Sequence, residues 1–363
     1  MEINVRRLPT YTKLSSIIVG LLALFYMLYV GKEILVPIIF SIIVAVLLNP
    51  FVNFLCRKKI NRTIAIAIAV LTAIILLAAL GYFIISQSAL FGESLPLFKQ
   101  KFTLIMNDSI SWASDKLNVS KPKIENWITD TKDQGMSNSS NMLGTALMGI
   151  GGVLVLLLLI PVYIFMLLFY KPLIIEFIGQ VFKNEDDEVV AEVLTETKSL
   201  IQSYLIGLLI EAAIVATLNS IGLLIIGIQY AILIAIIGAL LNLIPYIGGL
   251  VAISIPMLIA VATKTPIYAL YVFILFITVQ LIDNNYIVPK IVASKVKVNA
   301  LVSIVVVLIG GALWGIAGMF LAIPITAIVK VVFDRVTSLK PFGFLIGDNQ
   351  PDLGKSLLSK TKK

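Results

Sequence analysis

Long apolar runs with few or no charged residues alternate with polar stretches along this chain. About 20 apolar residues are enough to cross the roughly 30 Å of hydrocarbon in a bilayer as an α-helix. Runs of this kind predict membrane helices at residues 14–31, 34–56, 63–90, 148–170, 204–228 and 266–285. Together with two further apolar runs, they predict an all-α, polytopic helical membrane protein of about eight membrane segments.

The two further runs, residues 230–262 and 298–329, have unusual lengths. Each is long for one helix, but half of each is only about 15 residues, or roughly 22 Å, which is short of a full span. Helix-breaking residues interrupt both runs near the middle: Asn242, Pro245, Gly248 and Gly249 in the first, and Gly310, Gly311, Gly315 and Gly318 in the second. We therefore expect two re-entrant or broken helical hairpins, the first opening outward and the second inward. The alternatives are pairs of short tilted helices or single long kinked helices.

Two polar stretches separate the apolar runs. Residues 87–147 include an apolar stripe at helical spacing, formed by Phe98, Phe102, Ile105, Met106 and Ile110, which predicts an amphipathic helix. Residues 171–203 combine a similar stripe with an acidic face that includes Glu192 and Glu196. A solvated face is the preferred interpretation of these acidic residues, and a metal-binding cluster is the alternative.

Basic residues predict the orientation of the chain. Arg6, Arg7 and Lys13 precede the first helix, and Arg57 to Arg62 separate the second and third helices. Because basic loops remain in the cytoplasm, both termini are expected there and residues 87–147 outside. The predicted organisation is N-terminal helices (1–86), an extracytoplasmic amphipathic segment (87–147), a fourth helix with a cytoplasmic amphipathic helix (148–203), a transport core (204–336) and a basic cytoplasmic tail (337–363).

Composition excludes several classes of function. Of 363 residues, 59% are hydrophobic and 13% are charged, and the mean hydropathy is +1.03, so a soluble globular protein is excluded. The absence of histidine removes His-dependent catalysis and His-ligated metals, and a single cysteine, Cys56, allows no internal disulfide. No phosphate-binding loop is present. We expect no enzyme activity, no cofactor and no nucleic-acid partner, since the net charge of +8 fits the orientation signal.

Polar residues inside apolar runs are the candidate site. Glu211 lies within the fifth predicted helix, where a carboxylate is costly unless it is protonated, partnered or facing water, so it is a candidate proton carrier. Its alternative role is that of a residue at headgroup level. Asn219 and Asn242 are weaker candidates, because buried asparagines often only bond across helices.

A second candidate group follows the apolar run of the seventh predicted segment. Gln280, Asp283 and Asn284 share one helix face at i, i+3 and i+4, with Asn285 beside them. Such oxygen-rich groups can coordinate sodium or hydrogen-bond a polyol. The alternative is a polar helix cap at the membrane surface, with Pro289 ending the helix.

Three stretches resemble the autoinducer-2 exporter (AI-2E) family of bacterial and archaeal membrane proteins. They are LNLIPYIGG (241–249), QLIDNNYIVPKI (280–291) and GGALWGIAGMFLAIPITAI (310–328), and Asn49-Pro50 also matches. The matched positions are Pro245, Gly248, Gly249, Gln280, Asp283, Asn284, Asn285, Pro289, Gly310, Gly311, Gly315, Gly318 and Pro324.

The resemblance implies a helical permease of about eight segments that forms a homo-oligomer, with a pentamer as the candidate assembly. Family members are associated with export of the signal autoinducer-2 and others with sodium(lithium)/proton antiport.

The sequence thus favours a secondary transporter of the cytoplasmic membrane, with the lipid bilayer and a small polar solute, Na⁺ or H⁺ as its partners. Under this hypothesis the hairpins hold the solute, Asp283 with Gln280 and Asn284 binds it or the ion, and Glu211 exchanges the proton. The alternatives are a non-transporting scaffold that binds a partner through residues 87–147, and a passive channel.

Overall fold

The computed structural model describes residues 9–117, 158–181, 187–245, 247–292, 298–336 and 339–349. Helices account for the regular structure in these ranges, which confirms the all-α prediction. They are α1 (Thr10–Val30), α2 (Lys32–Arg57), α3 (Arg62–Leu117), α4 (Leu158–Phe169), α5 (Lys171–Val181), α6 (Asp187–Ile226), α7 (Ala231–Asn242), α8 (Ile247–Thr263), α9 (Pro266–Ile282), a π-helix (Asp283–Val292), α10 (Ala300–Arg335) and α11 (Lys340–Ile346).

Five of the described helices are long and apolar enough to cross a membrane, and α4 with α5, bent by 64°, make a sixth candidate. Their outward faces carry large apolar side chains, such as Ile75 at 65% exposure and Ile225 at 81%. Contiguous apolar surface of this extent is not stable in water, so these faces contact lipid. The chain is a multi-pass membrane protein, and the total of eight segments stays a prediction.

Two helices are longer than the sequence pattern predicts. Helix α3 continues for 56 residues through position 87, where the amphipathic segment was expected to begin. Helix α6 runs for 40 residues through position 203, so the expected cytoplasmic amphipathic helix and the fifth membrane helix are one element from Asp187. A change of polarity along the chain does not by itself end a helix, so the start of a polar stretch does not mark a helix end here. Of the predicted stripe on 87–147, the side chains of Phe98, Phe102, Ile105 and Met106 lie outside the described residues, as does the chain at 118–157.

Contacts divide the chain into two compact units. The cavity unit comprises residues 44–172 and 203–294, and the second-hairpin unit comprises residues 1–43, 173–202 and 295–363.

Among its described residues, the cavity unit has three apolar cores, two of them large. In the first, Ile66 and Ala69 of α3 pack with Val52 of α2 and with Ile164 and Leu168 of α4. In the second, the fully buried Leu223 and Val272 pack with Ile234, Ala235 and Phe276, which joins the end of α6 to α7, α8 and α9. The second core therefore packs α6 and α9 with the α7–α8 pair.

Helices α7 and α8 form the first hairpin (residues 231–263). The turn that follows α7 contains Pro245, and α7 and α8 pack against each other. Gly248 closes the turn, because a Cβ at this position would overlap the carbonyl group of Leu241. With 12 residues, α7 is about 18 Å long, which is well short of a bilayer. The structure thus confirms a broken hairpin here, and its depth in the membrane stays a prediction.

Helix α10 is the second hairpin (residues 300–335). Its helical geometry fails at Trp314 and at Gly315, whose φ of +61° is accessible to glycine at little cost. The two helical arms that flank this break are in backbone contact, since a Cβ on Gly318 would overlap the carbonyl of Gly310. The sequence predicted this break, but only Gly315 of the four glycines lies in it. Gly310 and Gly318 serve close packing of the two arms, and Gly311 packs against Met319.

Helix α11 lies within the segment predicted to be a basic tail, and it packs against α10. Asn299, which caps the first arm of α10, donates its Nδ2 to the carbonyl oxygens of Leu345 and Gly347 at 2.6 and 3.2 Å. On the second arm Lys330 pairs with Asp334, beside Gly343 of α11. Residues 340–347 therefore belong to the folded unit, because they connect the two ends of the second hairpin.

Arg335 ends α10 with a two-carboxylate ion pair. Its Nη2 lies 2.7 Å from Glu192 Oε1 and 2.9 Å from Glu196 Oε2. Two of the acidic residues on the predicted solvated face thus have a basic partner from another helix.

Candidate functional site

The cavity unit contains a cavity of about 610 Å³. Its lining comes from α6 (Tyr204, Leu208, Glu211), the first hairpin (Asn242, Leu243, Pro245, Gly249, Ile253), α9 (Phe273, Phe276, Ile277, Gln280) and the π-helix (Asp283, Asn284, Val288, Val292). Its walls are mostly apolar, and its polar groups come from all four elements. An apolar pocket with a few convergent polar groups is the usual form of a small-ligand site.

The first hairpin brings its polar residues to α9 by closing tightly. Asn242 ends α7, and Gly249 lies in the first turn of α8. Gly249 faces α9 at close range, because a Cβ at this position would lie 3.2 Å from Gln280 Oε1 and 3.5 Å from Asn242 Oδ1. A side chain at this position would crowd the amide of Gln280 and contact that of Asn242.

A hydrogen-bond network centred on Asp283 joins the hairpin to α9 and the π-helix. Asp283 Oδ2 accepts from Asn242 Nδ2 at 3.2 Å and from Gln280 Nε2 at 3.5 Å. Gln280 Nε2 also donates to Asn284 Oδ1 at 3.2 Å. Residues 41 positions apart in the chain therefore form one polar group, and that group lines the cavity.

Both carboxylates of the cavity are buried. Asp283 is 2% exposed and Glu211 is 6% exposed, and their charges are close enough to interact. The described lining contains no lysine or arginine. Two carboxylates in such a place repel each other and lose hydration, so a proton or a cation nearby stabilises the pair.

The π-helix gives Asp283 its position. Continuing from α9, the chain forms ten residues of π-helix, with Pro289 inside it. Asp283, Ile287 and Val292 are buried on this element. The sequence placed the helix end at Pro289, but the helix continues because the wider π-turns accommodate it. Single-turn π-bulges are frequent at functional sites, and this segment is longer than a bulge.

Backbone contact packs the π-helix against α6. A Cβ on Gly207 would lie 2.8 Å from the carbonyl oxygen of Ile291. Gly207 is one turn from Glu211 on the same helix. This close approach keeps both carboxylates in one cavity.

The structure brings together seven of the residues predicted from sequence: Glu211, Asn242, Pro245, Gly249, Gln280, Asp283 and Asn284. Gly248 closes the turn next to them. Asn285 does not line the cavity, since it is exposed and its Nδ2 donates to the Leu281 carbonyl of its own helix at 2.8 Å. Gly310, Gly311, Gly315 and Gly318 belong to the second hairpin and do not line it either.

Tyr204 is a cavity residue that the sequence analysis missed. It is buried and lines the cavity with Glu211. The signal was present, because Tyr204 precedes Glu211 by seven residues, or about two helical turns, and so lies on the same face.

An α-helical, multi-pass membrane protein with a buried acidic cavity belongs to the class of membrane transport proteins. A family model described as "AI-2E family transporter" matches residues 16–338. The chain therefore belongs to the AI-2E family of transporters, as its motifs indicated.

Relatives with assigned names are similar over most of their length. The chain is 26% identical to the putative transport protein YueF of Bacillus subtilis, covering 84% of each chain. It is 25% identical to the putative transport protein YhhT of Escherichia coli K12, over 93% of this chain and 94% of the other. It is also 26% identical to the AI-2 transport protein TqsA of Escherichia coli K12, over 88% and 90%. These relatives are named as transport proteins, which supports a transport function rather than an enzymatic one.

Proposed function

We propose that this protein is a gradient-driven secondary transporter of the cytoplasmic membrane that exchanges protons for a monovalent cation, Na⁺ or Li⁺, through the cavity. The supporting observation is that Glu211 and Asp283 are both buried in one cavity whose described lining has no basic residue. Either a proton or a cation relieves the repulsion between these carboxylates. A carboxylate that holds a proton cannot also balance a cation, so the two compete, and competition at one site is the basis of exchange.

The proposal assigns a role to each group. Asp283, held by two amide donors, binds the cation, and Glu211 on α6 exchanges the proton. Alternating access would arise from movement of a hairpin-containing part against the remaining helices, as broken-helix transporters allow. Cytoplasmic termini and a homo-oligomeric, for example pentameric, assembly complete the proposal, as the basic loops and the family resemblance indicate.

A second candidate is export of a small polar solute of the autoinducer-2 type. The cavity volume of about 610 Å³ is far larger than an ion needs and falls in the range of small-molecule sites. Tyr204, Asn242, Gln280 and Asn284 offer hydroxyl and amide groups to a polyol. One similar protein, TqsA, is named for AI-2 transport.

Flux measurements on the purified full chain in proteoliposomes test both candidates. We expect an imposed Na⁺ or Li⁺ gradient to move protons, reported by an internal pH dye. Asp283→Asn and Glu211→Gln should each slow this movement by about tenfold or more, because each removes a buried charge that the exchange uses. The matched control is Asp334→Asn, which removes the carboxylate paired with Lys330 in the second hairpin and should stay within about twofold of wild type.

Other outcomes point to other functions. Gradient-driven uptake of labelled autoinducer-2 without cation-coupled proton movement would favour the solute exporter. Flux of ions or solute that ignores every gradient would indicate a passive channel. No flux of any substrate, with Asp283→Asn behaving as wild type in cells, would indicate a scaffold and contradict transport.

A further inference from the structure

The network around Asp283 leaves one oxygen free. Asp283 is 2% exposed, and its Oδ1 has no hydrogen-bond donor among the residues that the structure describes. Its Oδ2 accepts from two amides. A buried carboxylate oxygen without a donor is costly, so its presence in a cavity wall indicates a bound partner in the working protein.

The two amide groups that donate to Asp283 each also carry a carbonyl oxygen, and this oxygen points away from the carboxylate. Asn242 and Gln280 direct their NH₂ groups to Asp283 Oδ2, while Asn242 Oδ1 and Gln280 Oε1 both face Gly249. They come from α7 and α9, so two separate elements present the same group with the same orientation. An amide that rotates by 180° exchanges its oxygen and nitrogen with almost no change of shape.

We propose that Asn242, Gln280 and Asp283 form a rotating-amide site for a dehydrated monovalent cation. Without a cation, the two NH₂ groups satisfy the carboxylate. With a cation, both amides rotate, so that Asn242 Oδ1 and Gln280 Oε1 take the places of the NH₂ groups and coordinate it together with the Asp283 carboxylate. The inference rests on the proposed cation exchange and specifies its ligands.

Chemistry and charge favour this assignment. Hard cations take carboxylate and carbonyl oxygens as ligands, and the rotated site is made only of such oxygens. The three ligand side chains carry one negative charge between them, which balances one monovalent cation. Glu211, the second carboxylate of the cavity, carries the proton when no cation is bound and releases it when the cation binds, so the net charge of the cavity is the same in both states.

Gly249 provides the space in which the amides rotate. A methyl group at this position would lie 3.2 Å from Gln280 Oε1 and 3.5 Å from Asn242 Oδ1, the first of which is tighter than ordinary van der Waals contact. Because alanine favours a helix over glycine, Gly249→Ala should not weaken α8 itself. This substitution therefore separates an effect on the site from an effect on the fold.

Equilibrium binding of ²²Na⁺ to the purified full chain in detergent tests the site without relying on transport. We expect Asn242→Ala, Gln280→Ala and Gly249→Ala each to raise the Kd for Na⁺ by about tenfold or more, since each disturbs an oxygen ligand. The controls are Asn53→Ala, an exposed amide on α2, and Gly81→Ala, whose new methyl would meet no atom within 4 Å. Thermal melting of every variant identifies those that fail to fold.

The outcomes separate the site from the function. If wild type binds and exchanges Na⁺ while folded Asn242→Ala and Gln280→Ala keep the wild-type Kd, the rotating-amide site is wrong and cation exchange stands. If wild type neither binds nor exchanges Na⁺ or Li⁺, the proposed exchange fails and the site fails with it. Displacement of ²²Na⁺ by Mg²⁺ or Ca²⁺ at lower concentration than by unlabelled Na⁺ would overturn the assignment to a monovalent ion.

Discussion

The two hairpins share a close backbone contact at a glycine, and they differ in the residues at their turns. In each, a glycine brings two backbones into contact: Gly248 meets the Leu241 carbonyl in the first, and Gly318 meets the Gly310 carbonyl in the second. The first turn is flanked by Asn242 and Gly249, which line the acidic cavity. The second turn consists of Trp314 and Gly315, between apolar arms.

The polar groups of the second hairpin bond within their own unit. Trp314 Nε1 donates to the Leu28 carbonyl of α1 at 2.9 Å, and Phe320 stacks on Phe40 with ring centroids 5.8 Å apart. At the other end, Asn299 donates to carbonyl oxygens around the end of α11. The first hairpin, by contrast, directs Asn242 to a carboxylate with a free oxygen. We infer that the first hairpin is specialised for binding and the second for architecture.

The largest expected effect tests what the hairpins share. Gly248→Ala and Gly318→Ala each force a methyl group into a backbone carbonyl, so we expect a loss of about 3 kcal/mol or more of stability, or no folded protein. Thermal melting and yield in detergent measure this. Gly20→Ala in α1 is the matched control, because its methyl would meet no atom within 4 Å, and it should melt no lower than wild type. Wild-type melting of Gly318→Ala would show that the arms of the second hairpin are not in contact.

A pair of asparagines tests how the hairpins differ. Asn299→Ala removes donors to the α11 carbonyls and should cost about 1–3 kcal/mol of stability, while exchange per folded molecule stays near wild type. Asn242→Ala should have the opposite effects: cation exchange should be lost, and the melting temperature should change less than in Asn299→Ala. The comparison fails if both variants lose exchange and stability in the same proportion.

A smaller effect is expected at the second turn. Trp314→Phe keeps the aromatic ring and removes the N–H that bonds Leu28, so it should cost about 1 kcal/mol. Melting in detergent measures this loss, and cation exchange at a temperature well below the transition should be unchanged. A large loss of exchange without a change in melting would assign Trp314 to the transport path instead.

The sequence predicted the parts of the site that depend on local signals. Length arithmetic together with Pro245 and the glycine pair located the first hairpin, and a carboxylate in an apolar run identified Glu211. The i, i+3, i+4 spacing identified the face of Gln280, Asp283 and Asn284. Asn285 was included because it adjoins them and matches the family motif, but its side chain bonds to its own helix instead of lining the cavity.

The remaining features depend on contacts that a sequence pattern does not show. The bond between Asn242 and Asp283 requires α7 and α9 to pack in one register. The π-helix could not be inferred, because an internal proline normally ends or kinks an α-helix. Helix α11 is only seven residues long and contains proline and glycine, so its sequence, KPFGFLI, is typical of a loop. Its contact with Asn299, which holds it in the fold, is visible only in the structure.

The length of α3 has a mechanical consequence. Its apolar part, Arg62–Ala89, is 28 residues long, and residues 90–117 continue it for about another 42 Å at the rise of an α-helix. A helical extension of that length acts as a lever arm: a tilt of roughly 10° in the apolar part would displace its tip by about 7 Å. A small reorientation of the membrane part of α3 would therefore produce a larger displacement near Leu117. A spectroscopic label at that position would report this displacement as a change of distance during turnover.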